Sequence, residues 1–365
     1  MEMKGIFRPF HGFALVLLGI AAACSTIPAG DSAVTVVAVA ETVPVGTANE
    51  DAADDPAIWR NPEDPAKSLI VGTDKKAGLH VYNLKGEQLS FLDSPGLNNV
   101  DLVEMGAKLA LVAASDRSDP ATAHILIVGL DTETGVLSSI ERIAVGPGEG
   151  YGICMAQPAS DGGPIAIYSA PKNGVIYRTL VNFGEGGNVS AVTGTVTTVP
   201  SQPEGCVVDP RTNTLYIGEE VAGIWAIDLA SGEKRMVAPV GTGMLVPDVE
   251  GLALAPEGAD GGYLVASSQG DNAYAVYRLP DYAPVGRFRI GAGTFGATEE
   301  TDGIELDNRD FGQDYPGGLF VAQDGENAPK AQNFKLVSWD TVLTALKAVD
   351  PAPLPMSTRF SAAPR

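Results

Sequence analysis

The sequence predicts an all-β chain folded as a six-bladed β-propeller and closed into a ring by an N-terminal strand. Three observations carry that expectation. Glycine (43) and proline (26) are frequent in the 365 residues, and short apolar runs with little helical periodicity recur between turn residues. Six of these runs open on related segments: "DDPAIW", "NNVDLV", "YGICMA", "PEGCVV", "VEGLAL" and "TDGIEL". With Asp55, Asp101, Tyr151, Glu204, Glu250 and Asp302 as markers, the units follow one another at 46, 50, 53, 46 and 52 residues. A period of about 40–50 residues with several strands per unit is that of propeller blades, and a sandwich has no need of such regularity.

Taken in order, residues 1–24 read as a lipoprotein-type signal peptide. Lys4 and Arg8 precede the apolar core "GFALVLLGIAAA", which falls short of the roughly 20 residues a spanning helix needs. Small residues at 21–23 then lead to Cys24, the expected lipid anchor, with plain secretory cleavage as the alternative. The chain is therefore expected to be exported, as a periplasmic or cell-envelope lipoprotein or as a secreted protein, and to touch membrane only through that anchor. Residues 25–40 are assigned to a linker and closing strand, with the run at 33–43, "AVTVVAVAETV", completing the last blade. Residues 41–348 form the propeller. In each unit a second strand ("SLIVGTD", "LALVAAS", "IAIYSA", "LYIGEE", "YLVASS", "LFVAQD") and a third ("LHVYNL" through "FKLVSW") follow the first. Residues 340–348 are the one credible helix, and 349–365 form a Pro-rich tail.

A net charge of −21 excludes nucleic acid as a partner, and a monomer is expected. His11, His80 and His124 are the only histidines and the first lies in the signal segment, so zinc and histidine-nucleophile chemistry are not indicated. Beyond Cys24 the cysteines are Cys154 and Cys206. They read either as two small buried residues or as a disulfide. Each lies on an inner strand just past its marker, in adjacent blades near the axis, which makes a bridge between blades three and four feasible.

In a propeller the inner strands all begin at one rim, and the second strands return to it. Blades one to three bring Lys75, Lys76, Arg117 and Lys172 to that rim. Blades four to six bring Glu219, Glu220, Gln269, Asp271, Asp324, Glu326 and Asn327, beside the markers and Asp54, Asn98 and Asp248. Solvated strand ends account for any one of these residues but not for their sorting by sign. Converging carboxylates repel one another unless a cation sits among them, and an all-oxygen set suits Ca²⁺. Lysine and arginine opposite calcium make a pocket for phosphate. The chemistry that follows is hydrolysis of a phosphate ester by metal-activated water.

The segments "DAADDPAIW", "DKKAGLHVY", "NNVDL", "AASDRS", "PEGCVVD", "GEE", "PDVEGL", "LVASSQG", "TDGIE" and "GLFVAQDGEN…QNFKLV" closely resemble the β-propeller phytases, from about residue 41 to 339. The resemblance implies a calcium-dependent phosphomonoesterase of the 3-phytase type. Such enzymes take phytate (myo-inositol hexakisphosphate) or calcium-phytate to lower inositol phosphates and inorganic phosphate by direct water attack, using a cleavage site and an adjacent affinity site. Position by position, it implies that Lys75, Lys76, Arg117, Tyr151 and Lys172 hold phosphates, Lys75 and Lys76 being also part of the catalytic set. It implies that Asp54, Glu204, Glu220, Asp248, Glu250, Gln269 and Asp302 hold the catalytic calcium ions and the attacking water. Asp55, the carbonyls of Pro56 and Val100, Glu41, Asp324, Glu326 and Asn327 are implied as structural calcium ligands. Two departures stand out. The loop "GAGTFGATEETDG" is one residue shorter than the family's usual form and lacks an Asp of a structural site, and Cys154 and Cys206 stand where other members carry apolar or small residues. Two rival readings share the fold. A lactonase-type metal hydrolase gives no reason for the Lys/Arg half, and a non-catalytic, calcium-stabilised propeller would bind a polyanion or protein without turnover.

Overall fold

The computed structural model describes residues 29–348 except Asn49, Ala107, Ala159 and Asp161. The signal segment with Cys24 and the tail at 349–365 lie outside the described residues. Six antiparallel sheets stand around an axis. Their inner strands are Ala53–Trp59, Leu97–Glu104, Gly152–Ala156, Pro203–Asp209, Val249–Glu257 and Ile304–Asp307. Each inner strand packs on the next, and the sixth returns to the first. The apolar core lies between blades rather than within one. Ala57, Val71 and Val81 of blade one, for example, pack with Val100, Val112 and Val128 of blade two. Each sheet thus buries both faces, which is why its middle strands read as continuous apolar runs. Cys154 and Cys206 join the inner strands of blades three and four in a disulfide, with Cα atoms 5.4 Å apart.

The closing segment differs from the expectation of one strand completing the last blade. Val34–Val37 pairs in parallel with Ala283–Gly291 as a fifth strand on blade five. Only Ala40–Glu41 forms the outer strand of blade six, against Asn333–Ser338. Backbone bonds from Val39 to Leu336, Thr42 to Phe334 and Val45 to Gln332 keep the chain beside blade six. One apolar run therefore covers two sheet edges, each of which would otherwise present unpaired N–H and C=O groups. The helix Trp339–Lys347 follows blade six, and its Trp339, Val342 and Leu346 pack with Val36 and Phe288 of blade five.

The rim is built by a repeated irregularity. In blades one, two, four and five the inner strand slips register at its start, between Ala53 and Pro56, Leu97 and Val100, Pro203 and Cys206, and Val249 and Leu252. Such a bulge bends the strand and re-aims the side chains within it. The first bulged residues are Asp54, Asn98, Glu204 and Glu250, and these are the structural equivalents. The markers Asp55 and Asp101 are corrected accordingly, because they line a 170 Å³ cavity inside the ring together with Glu305. The Glu-Gly spelling also has a packing cause. A Cβ on Gly205 would fall 2.1 Å from the Glu250 carbonyl oxygen, so only glycine lets the next blade's backbone approach.

Candidate functional site

Among the described residues, Glu204, Glu220 and Glu250 form the one group of three His, Cys, Asp or Glu side chains whose ligand atoms lie within 4.8 Å of one another. Glu204 and Glu250 are buried, and Asp54 beside them is fully so. Both Asp54 carboxylate oxygens and Glu250 Oε2 are buried without a hydrogen-bond partner. A buried polar atom left this way is costly, and a buried charge more so. Lys75 pairs with the aspartates of this group: its Nζ lies 2.9 Å from Asp51, 3.1 Å from Asp302 and 3.6 Å from Asp54. Amides hold three further oxygens. Asn98 Nδ2 donates to Glu204 Oε1 at 3.0 Å, Gln202 Nε2 to Glu220 Oε1 at 2.5 Å, and Gln269 Nε2 to Asp302 Oδ1 at 2.6 Å. The Asp302 N–H donates to Gln323 Oε1 at 2.9 Å.

The electrostatics follow from too many carboxylates and too little cation. Burial pushes Glu204 up to about 7, with Asp54 and Glu220 adding to the rise against the opposing pull of Glu250's hydrogen bond and Lys75. Glu250 is held well above the usual carboxylate range by burial and then by the Glu204 charge. Asp302 is raised as well, by burial with Asp54 and Glu204 outweighing Lys75. Glu220 rises through burial and the nearby Asp248 carboxylate. Burial alone would lower the Lys75 ammonium, but Asp54, Asp302 and Asp51 raise it on balance. Orphaned oxygens within an all-oxygen donor set fit a hard divalent cation such as Ca²⁺.

In blades two and three, beside this cluster, the charges change sign. Arg117 and Lys172 flank the Tyr151 ring, with the guanidinium 5.6 Å and the ammonium 4.5 Å from its centroid. Both pair with one oxygen of Glu149, at 2.8 Å from Arg117 Nη2 and 3.3 Å from Lys172 Nζ. Lys76 is exposed and reaches Glu50 at 3.8 Å. The turn carrying Lys75 and Lys76 is fixed by buried Asp74, which accepts from the Lys76 and Ala77 N–H groups at 2.9 and 3.1 Å and from Thr47. Blade four repeats the device: Glu219 is buried and accepts from Ser201 N–H and Trp225 Nε1. Glu219 therefore braces a rim turn and does not join the acidic cluster. Asp271 likewise pairs with buried Arg287.

The residues implied as structural calcium ligands are not gathered in one place. Glu41 Oε2 and Asn333 Oδ1 accept from Lys335 Nζ at 2.7 and 2.9 Å. Asp324 Oδ2 lies 2.9 Å from the same ammonium, an ion pair off the hydrogen-bond axis. Lys335 is fully buried, so a protein cation already sits between Glu41 and Asp324. Glu326 is exposed, and the Asn327 amide donates to the Ala331 carbonyl. Asp55 accepts from the Val100 N–H at 3.1 Å inside the ring cavity, and Val100 and Pro56 stand within the same bulge-bearing strands. Glu149, Gln202, Gln323, Asp51 and Lys335 belong to this rim or its supports and were not singled out from the sequence. Gln202 stands two residues before Glu204 as Asp248 does before Glu250, and Gln323 lies in the second-strand run "LFVAQD", so the repeat carried a signal for these two.

With this geometry established, comparison with known proteins is decisive. A family model described as Phytase matches residues 11–352. The chain belongs to the phytase family. It is 39% identical over 329 residues to a 3-phytase of Bacillus subtilis (strain 168), covering 84% of each chain. A calcium-binding protein, regucalcin, from Agrobacterium tumefaciens has a similar fold at a TM-score of 0.51 and 15% identity, covering 84% of this chain and 95% of that one. That likeness concerns the fold alone. Membership in the phytase family matches a rim in which carboxylates face a cationic corner.

Proposed function

We infer that this chain hydrolyses phytate and releases inorganic phosphate, with the carboxylate rim as its calcium site. One observation carries the reading. Buried, unpartnered oxygens of Asp54 and Glu250 stand beside Glu204 and Glu220, and the Arg117–Tyr151–Lys172 corner adjoins them through Asn98. Asp54, Glu204, Glu220, Asp248, Glu250, Gln269 and Asp302 would hold the metal. A calcium ion held there would neutralise the carboxylates, polarise a phosphoryl oxygen and lower the pKa of water. The chain's own groups do the rest. Lys75, fixed by Asp51 and Asp302, places one positive charge where the cleaved phosphoryl group sits. Arg117 and Lys172 bind a second phosphate of the same inositol ring over Tyr151, orienting the first. Glu250, within that set, would orient the attacking water. The Arg117–Lys172 corner weighs against the lactonase reading, because a neutral lactone has no use for two cations.

Two substitutions test the division of labour. Glu250→Gln preserves shape and removes charge, and it should lower kcat on phytate by about 10²-fold or more. Lys172→Ala should act mainly through KM for phytate and much less on a small aryl monophosphate, which engages a single site. Near-normal turnover in Glu250→Gln would place the chemistry elsewhere and favour a binding propeller.

A further inference from the structure

We propose that Glu149 is an internal stand-in for a substrate phosphate, which Arg117 and Lys172 exchange for the real one on binding and take back when product leaves. The proposal rests on the reading that these two cations hold a phosphate. A single carboxylate oxygen, Glu149 Oε1, bridges Arg117 Nη2 and Lys172 Nζ, the two positive groups of the corner. The three side chains remain 30, 29 and 25% exposed, open enough for a ligand to reach and screened enough for the charges to matter. The backbone under Glu149 is fixed. Its carbonyl accepts from the Lys172 N–H at 3.2 Å, Gly148 N–H donates to the Ala121 carbonyl at 3.0 Å, and a Cβ on Gly150 would meet the Asp116 carbonyl oxygen at 2.4 Å. The side chain alone is left to turn away by rotamer change.

The corner is also wired to the acidic half. Arg117 Nη1 donates to Asn98 Oδ1 at 2.6 Å, and Asn98 Nδ2 donates to Glu204 Oε1. Arg117 is therefore held from two sides when no phosphate is bound, and Lys172 from one, so both cations are preorganised. A phosphate dianion carries more charge and more acceptor oxygens than one carboxylate and displaces it. The same competition weakens the grip on inorganic phosphate, so Glu149 positions the cations and sets how readily product departs.

The test uses the calcium-loaded protein with inorganic phosphate as the probe. Glu149→Gln should tighten phosphate binding measured by calorimetry by about tenfold, the scale of losing a partly buried competing charge. Its inhibition constant for phosphate against phytate hydrolysis should fall in step, and KM for phytate should fall too. Glu149→Asp, which keeps the charge, should restore phosphate affinity toward the parent value. Loss of a merely structural contact would not tighten a ligand. Unchanged or weaker phosphate binding in Glu149→Gln would overturn the proposal while phytate turnover still stood. Unchanged phosphate binding in Lys172→Ala would instead overturn the reading of the corner on which it rests.

Discussion

Two clusters of carboxylates in this ring solve the same electrostatic problem in opposite ways. In blade six, Glu41, Asp324 and Asn333 surround the Lys335 ammonium, which is fully buried and supplies the positive charge from within the chain. At the rim, Lys75 pairs with Asp54 and Asp302, while Glu204, Glu220 and Glu250 converge beside them, and the oxygens of Asp54 and Oε2 of Glu250 stay buried without a hydrogen-bond partner. The first arrangement is complete as folded. The second tolerates a charge deficit that folding alone does not repair, and a protein keeps such a deficit where something from outside is to be held. The pKa directions agree. Burial raises Glu41, but the Lys335 hydrogen bond and charge carry it below its ordinary value, whereas Glu204, Glu250 and Asp302 are all raised.

The comparison can be broken most forcefully at Lys335. Lys335→Met keeps the volume and removes the charge, leaving Glu41 and Asp324 uncompensated in the interior. Loss of one partner from a buried ion pair costs about 3–5 kcal/mol, so urea unfolding should show a loss of that size. A loss below about 1 kcal/mol would mean that the cluster is not held together by its lysine.

A smaller effect separates the clusters by pH. Glu204 has a folded pKa of about 7 against an ordinary value of 4.5, so the folded state binds the extra proton between these values. Without calcium, its contribution to stability is therefore lost as pH rises from about 4.5 through 7. Glu41 has the opposite sign: its folded pKa is lowered, and its contribution is present above its ordinary value and lost as pH falls. Melting temperatures in chelator should fall as pH is raised through that window, and Glu204→Gln should flatten the slope. A slope that Glu204→Gln leaves intact would assign the deficit to other groups.

The blades were legible because their spacing repeats, and the sorting of charge at the rim was legible for the same reason. Asp54, Glu204, Glu250 and Asp302 follow from the pattern. Assigning the markers Asp55 and Asp101 was off by one and by three residues, because a bulge changes which side chain faces the axis without altering the apolar alternation. Lys335 was in plain view in "QNFKLV", yet its partner Glu41 is 294 residues away, and a strand lysine reads as solvent-facing until that partner is seen. Glu149 was not singled out because its role depends on two cations brought together by different blades.

The rim needs a cation which the chain does not contain. Release of inorganic phosphate from phytate, measured with calcium and again with excess chelator, tests it most directly. Turnover is expected with calcium, none with chelator, recovery when calcium is restored, and a lower melting temperature in chelator because an ion bound only to the folded state stabilises it. Full phytate hydrolysis in chelator with an unchanged melting temperature would contradict it.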